Sequence, residues 1–460
     1  MTQAELIVSV SGIRGIVGQT LAPESMLRFG QAFGRLLQEN RAIAGDTRPL
    51  RVTVGRDSRL SGSMVASSLT AGLLSVGVHV IDLGVVTTPS VGLMTRFLTA
   101  DAGIVITASH NPPEYNGMKF LRADGVGFPP AVIERLKAIY SSAHWKLADV
   151  EHIGSLSSDS RTHAHHVQTV LQHVDAKPIA THRFRVVLDS INGAGCIASP
   201  MLLGKLGVEL VHINGEATGR FAHTPEPIRE NLQDLCRFVP EKKAAIGFAQ
   251  DPDADSLVVV DETGRFIGEE YTLALAVLNR LMSRPGIVVC NLSTSRMIDD
   301  IAARFDSRVL RTAVGEANVA ARMIQEKAVI GGEGNGGVID LRIGPVRDSL
   351  MAMASILELM TRTGRKISEI VAGLPAYAML KTKFPATRAQ ADALVEKVKS
   401  AYAAERLDLQ DGVRIDWPEG WVQVRPSNTE PIARVIAEAR DDATARELIA
   451  RVDRLREQLV

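Results

Sequence analysis

No apolar run in this sequence approaches the roughly 18 residues needed to span a bilayer, and Met1–Val10 lacks the basic flank of a secretory leader. The expectation is a cytoplasmic protein without a membrane partner. Neither charge predominates: Lys plus Arg and Asp plus Glu stand at 52 each, so no general field would gather nucleic acid, and an anionic ligand must be met by a focused site. Cysteine is scarce. Cys196, Cys236 and Cys290 are odd in number, widely spaced and without a Cys-x-x-Cys pair, which argues against a disulfide framework and against a zinc site. They read as small buried apolar residues.

What is present in quantity is a repeated pattern. Arg51–Val54 is a short apolar run, followed by the polar stretch Gly55–Gly62, a helix-like segment from Ser63 to Val76, and a second apolar run, Val78–Leu83. The order returns at Arg185–Leu188, Asp189–Gly195, a helical segment to Leu206 and Val208–Ile213. It returns again at Ile287–Cys290, Asn291–Ser295, Arg296–Phe305 and Arg308–Leu310. Strand, polar turn, helix and strand is a βαβ unit, so each copy implies a mostly parallel sheet covered by helices. The length, 460 residues, accommodates about three domains of roughly 150 residues each on a soft prior. The fold class expected is α/β: three similar α/β domains (1–152, 153–256 and 257–371) plus a different C-terminal α+β domain, 372–460, around a central cleft.

Each repeat runs on into another apolar strand that ends in a distinctive loop, where open α/β sheets bind ligands. The first is Thr107-Ala108-Ser109-His110-Asn111-Pro112-Pro113, in which the prolines stiffen the presentation of the Ser109 hydroxyl. That serine is either a nucleophile or phosphate carrier, or part of a strand-ending turn. The second is Asp251-Pro252-Asp253-Ala254-Asp255, whose alternate carboxylates can converge on one hard cation such as Mg²⁺. An EF-hand loop is the nearest rival, since Glu262 falls at its twelfth position. Ser256 stands where that loop needs glycine and the flanks read as strands, so it is rejected. A metal-free acidic turn would leave three like charges repelling.

The third loop, Gly331-Gly332-Glu333-Gly334-Asn335-Gly336-Gly337, either lets backbone approach a ligand while Glu333 and Asn335 bond vicinal hydroxyls or is a flexible glycine turn. In the last domain Arg425-Pro426-Ser427-Asn428-Thr429-Glu430-Pro431 either supplies an arginine fork, two hydroxyls and an amide suited to a phosphate dianion or is only a hairpin turn. Ser11–Gly15 places Arg14 in a tight turn. Seven of the eleven histidines lie between His144 and His182, among them His163, His165 and His166, but no acid or cysteine cluster accompanies them, so they read as a polar interdomain face. Arg440–Arg456 has the spacing of an amphipathic helix closing the last domain.

With these residues in order, the chain resembles the α-D-phosphohexomutase family, over nearly its full length: Ile13-Arg14-Gly15, Gly55-Arg56-Asp57, the Ser109 loop with Asn116–Phe120, then the Asp251, Glu333 and Arg425 loops. The resemblance implies interconversion of hexose or hexosamine 1- and 6-phosphates, with glucosamine, mannose or glucose as the sugar. It implies Ser109 carried as phosphoserine, Mg²⁺ on Asp251, Asp253, Asp255 and a phosphoserine oxygen, and a hexose 1,6-bisphosphate as intermediate and activator. Arg14, His110 and Lys119 would surround the reacting oxygens, with Lys119 or His110 assisting proton transfer. Glu333 and Asn335 would hold the ring, and Arg425, Ser427, Asn428 and Thr429 the distant phosphate. The partner is then a small sugar phosphate, and the assembly a monomer or homodimer. The sequence departs from the resemblance at three places: Ser256 replaces an arginine expected after the metal loop, Glu316 stands where many members have histidine, and Gly337 ends the sugar loop in place of histidine. Two other readings stand beside the mutase: a non-catalytic sugar-phosphate-binding paralogue, because Ser256 removes a charge, and a sugar phosphatase that releases phosphate from the phosphoserine to water.

Overall fold

The computed structural model describes residues 7–9, 12–427 and 432–459. The first sheet contains β1 (Ile7–Ser9), β2 (Gly12–Ile16), β3 (Arg51–Arg56), β4 (His79–Val85), β5 (Ala102–Ile106), β6 (Tyr115–Arg122) and β7 (Leu156–Ser158). The second contains β8 (Arg185–Asp189), β9 (Glu209–Ile213), β10 (Ile246–Gln250) and β11 (Leu257–Asp261). The third contains β12 (Val288–Asn291), β13 (Val309–Thr312), β14 (Ile330–Glu333) and β15 (Gly337–Ile339). The last contains β16 (Ala378–Pro385), β17 (Arg406–Asp408), β18 (Val413–Asp416), β19 (Gly420–Pro426) and β20 (Ile432–Ala439).

One plan underlies the first three. The orders β4-β3-β5-β6, β9-β8-β10-β11 and β13-β12-β14-β15 are the same, with three parallel strands followed by one antiparallel strand. The parallel strands come from the repeated βαβ pattern, and their buried Val, Ile and Leu meet helices on both faces. The fourth sheet, β16-β20-β19-β18-β17, is antiparallel throughout. The three α/β units and the α+β unit are those read from the pattern. Sheet membership moves two of the expected boundaries. β7 pairs with β4, so the first unit extends past residue 152, and β11 is the hairpin partner of β10, so the second extends past residue 256.

The second and third units share one core, joined by the helix Ser349–Thr363, buried from Ser349 through Met360. The C-terminal unit has a core of its own around Val413, Ile415, Val422 and Val435. Its closing helix, Asp442–Glu457, buries Ala445, Leu448, Ile449 and Val452, and the Asp441 side chain accepts from Thr444 N at 2.8 Å as its N-cap. Of the histidine-rich stretch, His166 is fully buried between units, with Nδ1 2.8 Å from Ser90 Oγ and Nε2 2.8 Å from Asp348 Oδ2. That is the polar interdomain role expected of it. Cys196 and Cys290 are buried free thiols, and Cys236 is half-buried. Among the described residues no helix is long and apolar enough to cross a membrane.

Candidate active site

Ser109 stands three residues beyond the end of β5, where Thr107 and Ala108 carry the chain out of the sheet. Its φ is +50°, a conformation that costs a non-glycine residue about 1–3 kcal/mol and persists only where the surroundings enforce it. Arg59 enforces it. Its buried guanidinium donates to the carbonyls of Ser109 (2.6 Å), Asn111 (2.6 Å), Pro112 (2.7 Å) and Tyr115 (3.0 Å), and pairs with the buried Asp57 carboxylate at 3.1 Å. Asp57 in turn accepts from Thr107 Oγ1 at 2.7 Å, and Thr107 Oγ1 accepts from Ser109 N at 2.8 Å. Sequence reasoning passed over Arg59. The signal available was an arginine two residues after an aspartate in the polar turn after β3, beside the strand that carries the serine.

The Asp251 loop joins β10 to β11, so strands flank it and the EF-hand reading fails as expected. Asp251, Asp253 and Asp255 are buried and bring one carboxylate oxygen each within 4.8 Å of one another. Ser109 Oγ donates to Asp251 Oδ2 at 3.1 Å. Lys119, on β6, donates to Asp253 Oδ2 at 2.7 Å and Asp255 Oδ2 at 2.9 Å, and Thr88 Oγ1 donates to Asp253 Oδ2 at 2.5 Å. Burial drives the Asp251 carboxyl well up, reinforced by Asp255 and Asp253. Burial also pushes Asp253 and Asp255 upward, but Lys119 at both, Thr88 at Asp253 and Arg347 at Asp255 outweigh it and hold them below the usual range. Against the desolvation of its own burial, Asp253 and Asp255 hold the Lys119 ammonium firmly charged.

Three further predicted residues join this centre. Arg14 lies within β2, an extended strand paired with β6, and not in the tight turn expected; the pairing fixes its direction, and Nη1 donates to Asn111 Oδ1 at 2.6 Å. His110 Nδ1 is 3.5 Å from Ser109 Oγ; desolvation in the cleft and then the positive Arg14 lower its pKa to about 4. Glu333 closes β14, and its buried carboxylate accepts from Asn291 Nδ2 at 2.7 Å and Gly315 N at 3.0 Å. Asn335 is exposed at the tip of the turn to β15. Gly336 O accepts from Leu257 N at 3.0 Å, so the Glu333 loop is tied to the base of the β10–β11 hairpin.

The fourth loop approaches through Asp411. Arg425 pairs with it at 3.8 Å, its Oδ2 accepts from Val314 N at 3.1 Å, and the next residue, Gly315, binds Glu333. Among the described residues, the buried Arg425 Nε has no hydrogen-bond partner, a donor that an incoming anion would satisfy. Ser427 N donates to Ile432 O at 2.9 Å at the mouth of the turn. Asn428 and Thr429 lie outside the described residues. Asp411 and Arg347 were both missed, because each acts from a loop with no motif of its own.

A serine hydroxyl bonded to one of three converging buried carboxylates, with a lysine paired to the other two, is an arrangement suited to phosphoryl transfer. Comparison with known proteins gives the family. Models of the three alpha/beta/alpha domains of phosphoglucomutase/phosphomannomutase match residues 6–146, 164–264 and 269–377, and that of its C-terminal domain matches 382–455. The chain belongs to the phosphoglucomutase/phosphomannomutase family. It is 40% identical over 448 residues to a phosphoglucomutase/phosphomannomutase of Thermococcus kodakarensis, with 95% of each chain covered. It is 37% identical over 445 residues to a protein of Methanopyrus kandleri named "probable phosphoglucosamine mutase", again with 95% of each covered. The crystal structure of a phosphoglucomutase/phosphomannomutase family protein from Burkholderia thailandensis superposes with a TM-score of 0.85 at 28% identity, covering 98% of this chain and 96% of that one.

Proposed function

We propose that this phosphohexomutase interconverts hexose or hexosamine 1-phosphates and 6-phosphates through a phosphoserine at Ser109 and a 1,6-bisphosphate intermediate. The observation that carries the reading is the Ser109 hydroxyl, held at 3.1 Å from the buried Asp251–Asp255 cluster by a backbone that Arg59 clamps. The cluster fits Mg²⁺: three buried carboxylates converge, and Asp253 Oδ1 has no hydrogen-bond partner among the described residues. Asp251, Asp253, Asp255 and an oxygen on Ser109 would hold the ion, which would neutralise charge on the transferring phosphoryl group.

The side chains supply the rest. Phosphoryl transfer depends mainly on in-line positioning and electrostatic stabilisation. Glu333 and Asn335 would orient the ring hydroxyls, and Arg425 with Ser427, Asn428 and Thr429 would hold the phosphate that is not reacting. The attacking sugar hydroxyl forms the new O–P bond as the Ser109 Oγ–P bond breaks, and its proton ends on the released Oγ. His110 is the residue suited to carry that proton, since its imidazole is neutral at pH 7 and within 3.5 Å of Oγ; a phosphate dianion there would raise its basicity. Lys119 is held protonated by two aspartates and serves as a fixed cation. Arg14 would bind the transferring oxygens. The bisphosphate then turns end for end and returns its other phosphate to Ser109. The separate core of the C-terminal unit supports a hinge that admits and encloses the intermediate.

The test is incubation with glucose 1,6-bisphosphate and Mg²⁺, followed by peptide mass spectrometry. Phosphate on Ser109 supports the reading, and an unmodified Ser109 in protein that nevertheless turns substrate over refutes it.

A further inference from the structure

Two of the three departures noted in the sequence, Glu316 and Gly337, meet at one side chain, and the third, Ser256, bonds a carboxylate that the same side chain holds. Arg347, in the loop between β15 and the helix Ser349–Thr363, is half-buried among carboxylates from three separate elements. Nη2 donates to Asp255 Oδ2 at 2.7 Å, Nε donates to Glu316 Oε2 at 3.1 Å, and Nη1 lies 3.3 Å from Glu333 Oε2. Its backbone N–H also donates to Glu316 Oε2 at 3.0 Å. The side chain reaches this position because residue 337 is glycine: a Cβ there would stand 2.2 Å from Arg347 Cδ and 2.9 Å from Cγ. Glu316 fixes the guanidinium from behind, and Ser256, which is neutral, hydrogen-bonds Asp255 Oδ1 at 2.9 Å without competing for Oδ2. One rigid cation therefore spans the acidic loop and the sugar loop.

We propose that Arg347 is a positioning residue of the phosphoryl-transfer centre. It neutralises Asp255 beside Lys119, in place of a cation at residue 256, and it holds Glu333 at a set distance from Ser109. A planar fork with three fixed acceptors is pre-organised for this in a way that a lysine is not. Two consequences follow. Without Arg347, Asp255 loses a competing cation, so Mg²⁺ binds more tightly; Glu333 loses its tether to the reacting end, so turnover falls. A side chain that only filled space would do neither of these in opposite directions.

This inference rests on the proposed mutase reading, and the experiment separates the two. Wild type, Arg347→Ala, Arg347→Lys, Gly337→Ala and the double variant Ser256→Arg/Arg347→Ala are compared for kcat and KM with hexose 1-phosphates, for Mg²⁺ affinity of the unphosphorylated protein by titration calorimetry, and for thermal melting. Arg347→Ala is expected to lower kcat about 100- to 1,000-fold, the range for loss of one pre-organised donor, while Mg²⁺ affinity rises. Arg347→Lys restores part of kcat, Gly337→Ala lowers it by displacing the arginine, and the Ser256→Arg double variant recovers at least about tenfold over Arg347→Ala by returning the charge. The proposal is overturned if folded Arg347→Ala keeps kcat within about threefold of wild type, if its Mg²⁺ affinity is unchanged or falls, or if no second cation rescues it. A wild type inactive on every sugar would refute the mutase reading, and the Mg²⁺ comparison would still decide the role of Arg347.

Discussion

Replacing Arg59 with methionine tests how the serine is presented. The guanidinium is buried and spends its donors on four carbonyls of the Ser109 loop and on Asp57. Methionine fills much of the same volume and offers none of them, which leaves the buried Asp57 carboxylate without its cation. Breaking a buried pair from one side costs about 3–5 kcal/mol. At roughly 2–4 °C per kcal/mol for a domain of this size, the transition of the first unit should fall by roughly 6–20 °C. Scanning calorimetry resolves that shift, and Asp57→Asn/Arg59→Met gives the control. With the charge removed from both partners, the double variant should regain stability relative to Arg59→Met, with a coupling of about 0.5–3 kcal/mol. Activity should fall further than stability, because the positive φ of Ser109 is no longer enforced. A transition within about 2 °C of wild type, together with unchanged phosphorylation of Ser109, would refute the clamp.

Ser109→Ala should abolish turnover and leave the melting profile intact; residual activity above background in a coupled assay would remove the phosphoserine. Asp253→Asn should weaken Mg²⁺ binding by at least tenfold, or about 1.4 kcal/mol, in titration calorimetry, and an unchanged isotherm would place the ion elsewhere. Glu270 lies behind Gly334, and burial raises its carboxyl pKa to about 7. The folded protein therefore holds a proton that the unfolded chain releases near its ordinary value of 4.5, so this contribution to stability is complete below about 4.5 and is lost as pH rises through about 7. Glu270→Gln should flatten that decline in denaturant titrations between pH 5 and 8, values chosen to bracket the transition at about one unit or more; an unaltered slope would mean the group titrates normally.

The repeats were legible because buried parallel strands must be apolar and the turns between them polar, so Arg51–Leu83, Arg185–Ile213 and Ile287–Leu310 declared three copies of one unit. The same logic placed Ser109, Asp251–Asp255 and Glu333 at strand ends. It left open which sheet takes the second strand of an antiparallel hairpin such as β10–β11, because Leu257–Asp261 reads as a strand without announcing its partner. The glycines around Arg14 read as a turn, yet Gly12, at a φ of +109°, is needed inside a strand. A Cβ at Gly12 would stand 2.2 Å from Met118 O, so close packing on β6 and not a reversal of direction explains that glycine. Arg59, Arg347 and Asp411 escaped notice for a common reason. Each works by reaching from one loop to another, and such contacts are set by tertiary packing, with no local spacing to reveal them.

The central claim is most directly met by ³¹P NMR of the purified protein with Mg²⁺, trace hexose 1,6-bisphosphate and, in separate samples, the 1-phosphates of glucosamine, glucose and mannose. The account predicts that at least one 1-phosphate resonance is replaced by that of its 6-phosphate, without release of inorganic phosphate and with no conversion by Ser109→Ala. Inorganic phosphate as the sole product, or no change in any sample from protein phosphorylated on Ser109, would contradict it.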